Sequence, residues 1–188
     1  MLSASKLWAI LWGDGGQYHE VRLAGQTCWV PCERGDVLAR LLRADDCQVS
    51  MVPRTAKDPF AIGRAWVLWA RLESPECAPR LERLRVGPTL VAREGASSRR
   101  LALWALSEPL SGPWIGRATE RLSWALKGRR SAADASALVV SPFTRLTAHR
   151  AKPQRVWIEY QSETYATARQ IVGSLADAPP ADGWKAAA

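Results

Sequence analysis

Arg71 and Glu73 stand two residues apart at the polar end of residues 64–73, a run otherwise rich in apolar and aromatic side chains. In a strand that spacing puts both on one face, so the exit of this run is where chemistry is expected. Two basic clusters offer a second kind of chemistry, contact with phosphate. Arg117, Arg121, Lys127, Arg129 and Arg130 flank and follow a helical stretch, and Arg145, His149, Arg150 and Lys152 fill a later loop. The planar guanidinium fork suits phosphate oxygens, whereas a purely solvated face is the plainer alternative. Cys28, Cys32, Cys47 and Cys77 do not make a zinc site. Only Cys28 and Cys32 are close, and the only histidines are His19 and His149. Buried free thiols are the expected state.

These groups must be positioned by the elements around them. Residues 64–73 read as a strand buried on both faces. A short helical stretch around 79–84, a strand at 88–93, a turn at Gly95-Ala96-Ser97-Ser98 and a strand at 100–106 complete the organising unit. Before it, residues 6–12, 17–23 and 26–31 are closely spaced strand candidates that suggest an antiparallel meander. Asp36 then reads as the N-cap of a helix with Val37, Leu38, Leu41 and Leu42 on one face, followed by a strand at 47–52 and a basic loop at 53–59. After it come a loop at 107–113 and a helix at 115–127 with Ile115, Ala118, Leu122, Ala125 and Leu126 inward. A strand at 134–142, a basic loop at 143–153, a strand at 155–161 and a helix at 163–175 with Ala168, Ile171, Val172 and Leu175 inward close the chain.

The 188 residues are 47% hydrophobic and 23% charged, the balance of a folded domain. One domain is expected over 1–177, with 1–63 and 64–177 as candidate subdomains and a Pro/Ala-rich tail at 178–188. No stretch reaches the apolar length of a membrane span and no signal peptide is evident, so a cytoplasmic protein is expected. A net charge of +8 points to an anionic partner. Ten Trp against three Tyr and two Phe implies mostly core rings, with one or two exposed for stacking on bases.

In their order these pieces resemble the archaeo-eukaryotic primase superfamily, especially the small bacterial, phage and plasmid primase–polymerase domains. In that family a hydrophobic strand ends in two aspartates one residue apart. A Pro-Ser/Thr strand follows, then a Ser-Gly and His motif before an aromatic–Trp strand. A third aspartate comes later, shortly before a Pro-Gly-Thr loop carrying Asn and Lys. Here Val67-Leu68-Trp69-Ala70-Arg71-Leu72-Glu73 stands at the first motif, and Pro88-Thr89-Leu90-Val91 with Leu103-Trp104-Ala105-Leu106 at the second. Asp134 through Pro142, Phe143 and Thr144 matches the third in spacing, and Val156-Trp157-Ile158-Glu159, Tyr165 and Pro179-Pro180 are similar to the family's end. The resemblance spans roughly Tyr18 to Pro180 and implies an α+β, primase–polymerase-like (RRM-like) fold, a mixed or antiparallel sheet with flanking helices.

Primer synthesis in that family resembles two-metal phosphoryl transfer on clustered carboxylates. This chain departs from the pattern at most catalytic positions. Arg71 stands at the first aspartate, Glu73 at the second, and only Asp134 is intact; Arg100 or Leu101 stands at the histidine, and Phe143, Leu146 and Ala148 replace Gly, Asn and Lys. A guanidinium beside two carboxylates takes the place of a metal ion. The resemblance therefore implies an inactive domain with no metal or cofactor. The alternative is a weak nucleotidyltransferase holding Mg or Mn on Glu73 and Asp134. The expected partner is nucleic acid, DNA before RNA, in a replication or mobile-element complex that supplies a protein partner. A protein- or RNA-binding scaffold of a ribonucleoprotein effector is the third reading. Phosphate contacts are expected from Arg93, Arg99, Arg100, Arg121, Arg129, Arg130, Arg145, Arg150 and Lys152, and base stacking from Trp104 or Trp114.

Overall fold

The computed structural model describes residues 16–129, 134–147 and 153–175. The strand candidate at 6–12, the tail at 178–188, and Arg130, Ala148, His149, Arg150 and Lys152 lie outside the described residues. The first sheet contains β1 (Tyr18–Leu23), β2 (Gln26–Pro31), β3 (Gln48–Ser50) and β7 (Leu138–Val140), in the order β2-β1-β3-β7. The second contains β4 (Ala65–Leu72), β5 (Leu90–Glu94), β6 (Arg100–Leu110), β8 (Arg145–Leu146) and β9 (Gln154–Gln161), in the order β4-β6-β5-β9-β8. All pairings within the two sheets are antiparallel. Four helices are described: α1 (Gly35–Leu41), α2 (Cys77–Glu82), α3 (Pro113–Ala125) and α4 (Ala168–Gly173).

β1 and β2 form a tight hairpin through Ala24 and Gly25, both with positive φ (47° and 83°), the backbone a two-residue turn requires. The hairpin does not continue as a meander, because β3 pairs with the other edge of β1 and β7 then pairs with β3.

β4 is covered on both sides, as its unbroken apolar run predicts. Val67 and Trp69 join the core shared with the first sheet, alongside Leu38, Leu42, Val49, Leu101 and Leu103. Leu68, Ala70 and Leu72 point the other way, into a core with Trp104, Ala118, Leu122, Ile171 and Val172 from the helix side. The second sheet thus has one face towards the first sheet and one towards α3 and α4.

Several boundaries differ from the sequence pattern. β6 runs on to Leu110 where a loop was expected, because Leu110 pairs with Ala65 across a register shift at the start of β4. α1 begins at Gly35 after Arg34, so Asp36 lies in its first turn instead of capping it and accepts a hydrogen bond from Arg34 Nε at 3.4 Å. α3 starts at Pro113, which carries no N–H to leave unpaired, and ends before Lys127, whose φ is +53°. α4 is shorter than the expected 163–175. Ala166 is still bridged to Leu106, and Thr167 opens the helix with a capping box to Gln170. The strand expected over 134–142 narrows to Leu138–Val140 because Asp134 to Ala137 form a turn.

All four cysteines are free, but only Cys47 and Cys77 are buried, while Cys28 and Cys32 are half-buried. Burial pushes the Cys32 thiol up to about 11, with Glu33 adding to it, and that of Cys47 up to about 12.

Candidate functional site

At the end of β4, Arg71 and Glu73 share a face with the buried Glu94 of β5, which sequence reading missed. The Arg71 guanidinium reaches Glu94 through Nη2 to Oε1 at 3.3 Å, and its Nε lies 3.8 Å from Glu73 Oε1. Arg129 Nη1 approaches the same Glu73 oxygen at 3.2 Å. The four side chains form an alternating chain, Glu94, Arg71, Glu73, Arg129. The backbone fixes its far end: the N–H of Arg129 donates to the Arg71 carbonyl at 2.7 Å. Gly128 permits that approach, since a Cβ there would sit 2.7 Å from the same carbonyl oxygen.

A second guanidinium, also missed, belongs to Arg54. Within the stretch read as a basic loop, its side chain is 0% exposed against 3% for its partner Glu20. Nε and Nη2 donate to Glu20 Oε2 at 3.3 and 3.0 Å. Nη1 and Nη2 donate to the carbonyls of Ala135 and Ser136 at 3.1 and 2.9 Å. Arg54 thereby anchors the turn that begins at Asp134. The Asp134 carboxylate accepts from Ser136 N at 2.7 Å and Ser136 Oγ at 2.8 Å. Those bonds, joined by the nearby Arg54 charge, hold its carboxyl below the usual range. Among the described residues, no three His, Cys, Asp or Glu side chains cluster so as to hold a metal ion.

His19, on β1, is buried, and burial together with the Arg54 charge lowers its pKa to about 4. The native state therefore keeps it neutral while the unfolded chain protonates it below about 6.5. Unfolding takes up a proton between those values, so stability is full above about pH 6.5 and falls as pH drops towards 4. The loss expected from this group is about 3 kcal/mol. Urea unfolding at pH 7 and pH 4.5 checks the sign, and His19→Gln is expected to flatten that dependence.

The predicted phosphate contacts divide between surfaces. Arg93 and Arg100 project from the helix side of the second sheet, and both bind Glu159, at 3.2 and 2.6 Å. Arg99 is exposed beside the β5–β6 turn, Arg121 is half-buried on α3, and Arg145 makes a two-pronged pair with Asp45 at 3.0 and 2.7 Å. Trp104 cannot stack on a base. It is 1% exposed in the helix-side core, and its Nε1 donates to the Val86 carbonyl at 3.1 Å. Trp114 is half-buried, with the Arg117 guanidinium 5.1 Å from its ring centroid. Among the described residues, the exposed aromatic rings are instead Phe60, Trp124, Trp157 and Tyr165. At the histidine position Leu101 is core and Arg100 is ion-paired; in the third motif Phe143 packs against the core and Leu146 is buried.

The backbone arrangement has counterparts among solved structures. It superposes on the AEP domain of the cyanophage S-2L primase–polymerase with a TM-score of 0.63 at 10% identity, over 86% of this chain and 89% of that one. The fold is that of a primase–polymerase domain. The catalytic domain of primase RepB′ in complex with initiator DNA is similar with a TM-score of 0.58 at 15% identity, over 92% and 90% of the two chains. Another structure of primase RepB′ gives 0.59 at 14%, covering 93% of this chain and 61% of that one. No family model matches the sequence, and no curated protein does. The likeness of this chain to its counterparts is thus carried by shape.

Proposed function

We propose that this primase–polymerase-like domain has lost nucleotidyl transfer and binds nucleic acid, DNA before RNA, within a replication or mobile-element complex. The observation that supports the loss is the placement of Arg71 between Glu94 and Glu73, with Arg129 on the second carboxylate. Two-metal catalysis needs carboxylate oxygens open to two divalent ions. Here a fixed guanidinium already neutralises those oxygens, and the strong like-sign repulsion at short range opposes a metal beside it. The donor set does not fit a pair of Mg or Mn ions, and no catalytic step is derived through them. Binding is supported by the net charge of +8. Among the described residues no helix is long and apolar enough to cross a membrane.

Incubated with template, nucleotides and Mg or Mn, the protein is expected to yield no primer above a protein-free control. Synthesis that Asp134→Ala abolishes would overturn this reading. Arg71→Asp gives the complementary arm, since activity gained only on restoring the acid marks the site as degenerate.

A further inference from the structure

We infer that the nucleic-acid track of this domain lies in a groove on the helix side of the second sheet, opposite the Arg71–Glu73 face. The inference rests on the nucleic-acid reading above and names the surface that carries it.

The guanidiniums next to the site carboxylates are already engaged. Arg71 and Arg129 are tied to Glu94 and Glu73, and the buried Arg54 to Glu20. On the other side, a groove of about 960 Å³ opens between the α2–β5 connection and α4. Arg83, Arg85 and Arg169 line it, all exposed, and among the described residues none lies within ion-pair distance of a carboxylate. Tyr165 lines the same groove with 49% of its surface exposed. Three unneutralised guanidiniums around an accessible ring match a polyanion that also presents flat apolar faces. A single strand has both, phosphates for the arginines and an unstacked base for the tyrosine. An acidic peptide would use the charges and leave the ring unused.

The groove also has an extension. At Gly87 it adjoins a second hollow of about 430 Å³, lined by Leu81, Leu84 and Val91 and reaching Arg100 and Glu159. Trp157 stands two positions from Glu159 on β9, opposite Arg93, and is 54% exposed. In that stretch Arg93 and Arg100 share Glu159 and Glu82 lines the same hollow, so the positive charge of the track is carried by the arginine groove. The Tyr165 groove is thus the charged part of the track, with a mainly apolar hollow adjoining it at Gly87.

Fluorescence anisotropy on labelled single-stranded DNA, single-stranded RNA and duplex, across a salt series, tests the assignment. The Arg83→Ala/Arg85→Ala/Arg169→Ala variant is expected to bind single strands at least about 30-fold more weakly, with the log–log salt slope reduced by about 2 for three lost phosphate contacts. Tyr165→Ala is expected to weaken binding about tenfold at an unchanged slope. Arg99→Ala/Arg129→Ala, on the carboxylate side, is expected to bind as wild type, and unchanged melting temperatures verify that each variant is folded. Loss in Arg99→Ala/Arg129→Ala equal to or greater than in the groove variant overturns the groove while leaving the nucleic-acid reading intact. Absence of wild-type binding at low salt overturns both. Competition by poly-glutamate as strong as by an unlabelled oligonucleotide, or preference for duplex, also overturns the single-strand assignment.

Discussion

Arg54→Met is expected to destabilise the domain by about 3–5 kcal/mol, the usual result of removing one member of a buried ion pair. The variant leaves the Glu20 carboxylate 3% exposed with only the half-exposed Arg22, 3.8 Å away, as a cation partner. It also strips donors from the Ala135 and Ser136 carbonyls, so the turn that begins at Asp134 loses its anchor. For a domain whose net stability is about 5–15 kcal/mol this is a large fraction. Urea unfolding followed by tryptophan fluorescence measures it, and adding Glu20→Gln to Arg54→Met is expected to recover part of the loss because no buried charge then remains. Arg145→Ala, which breaks an exposed pair, is expected to leave the midpoint nearly unchanged. Equal midpoints for Arg54→Met and wild type would show that the buried network holds nothing.

Trp104→Ala is the second large effect, also about 3–5 kcal/mol. The ring is 1% exposed between β4, α3 and α4, and truncation leaves a void that backbone-anchored neighbours cannot close. The Val86 carbonyl loses its donor as well, which loosens the α2–β5 connection that forms one wall of the arginine groove. Trp157→Ala provides the contrast. Its side chain is 54% exposed, and the expected change in stability is within about 0.5 kcal/mol. Thermal unfolding of the two variants side by side checks the difference, and similar melting temperatures would contradict the burial that separates them.

The strands most legible in the sequence are those whose environment is uniform along their length. β4 is apolar on both faces because both are covered, so its pattern is an unbroken run. The β1–β2 hairpin was legible from the alternation and close spacing of its two strands. Features set by distant partners were not. Ser107, Glu108 and Pro109 look like a loop, and the pairing of Leu110 with Ala65, together with the Ser107 N–H donating to the Ala166 carbonyl, keeps them extended. Arg54 sits in a polar stretch where a lone arginine reads as solvated; its carboxylate lies 34 residues earlier and its carbonyl partners more than 80 later. Glu94 reads as the end of a strand, and its role emerges only when the pairing of β5 and β6 brings it to Arg71. Trp104 and Trp157 both lie in strands facing the helix side. Which ring is covered depends on where α3 and α4 come to rest, a tertiary outcome that period-two patterning does not encode. The spacing of Arg71 and Glu73 was readable as a shared face, whereas the third and fourth members of their charge chain were not.

The pairing of β3 with β7 has a bearing on how this chain comes off the ribosome. The first sheet begins with residues 18–50, yet its fourth strand is residues 138–140. The second begins with residue 65, yet β5 waits for residues 154–161 to cover its open side. During synthesis both half-built sheets present bare hydrogen-bonding edges until residues 138–161 have emerged. Such long-range closure favours slow folding, and it leaves the nascent chain exposed to wrong strand partners until those closing strands appear.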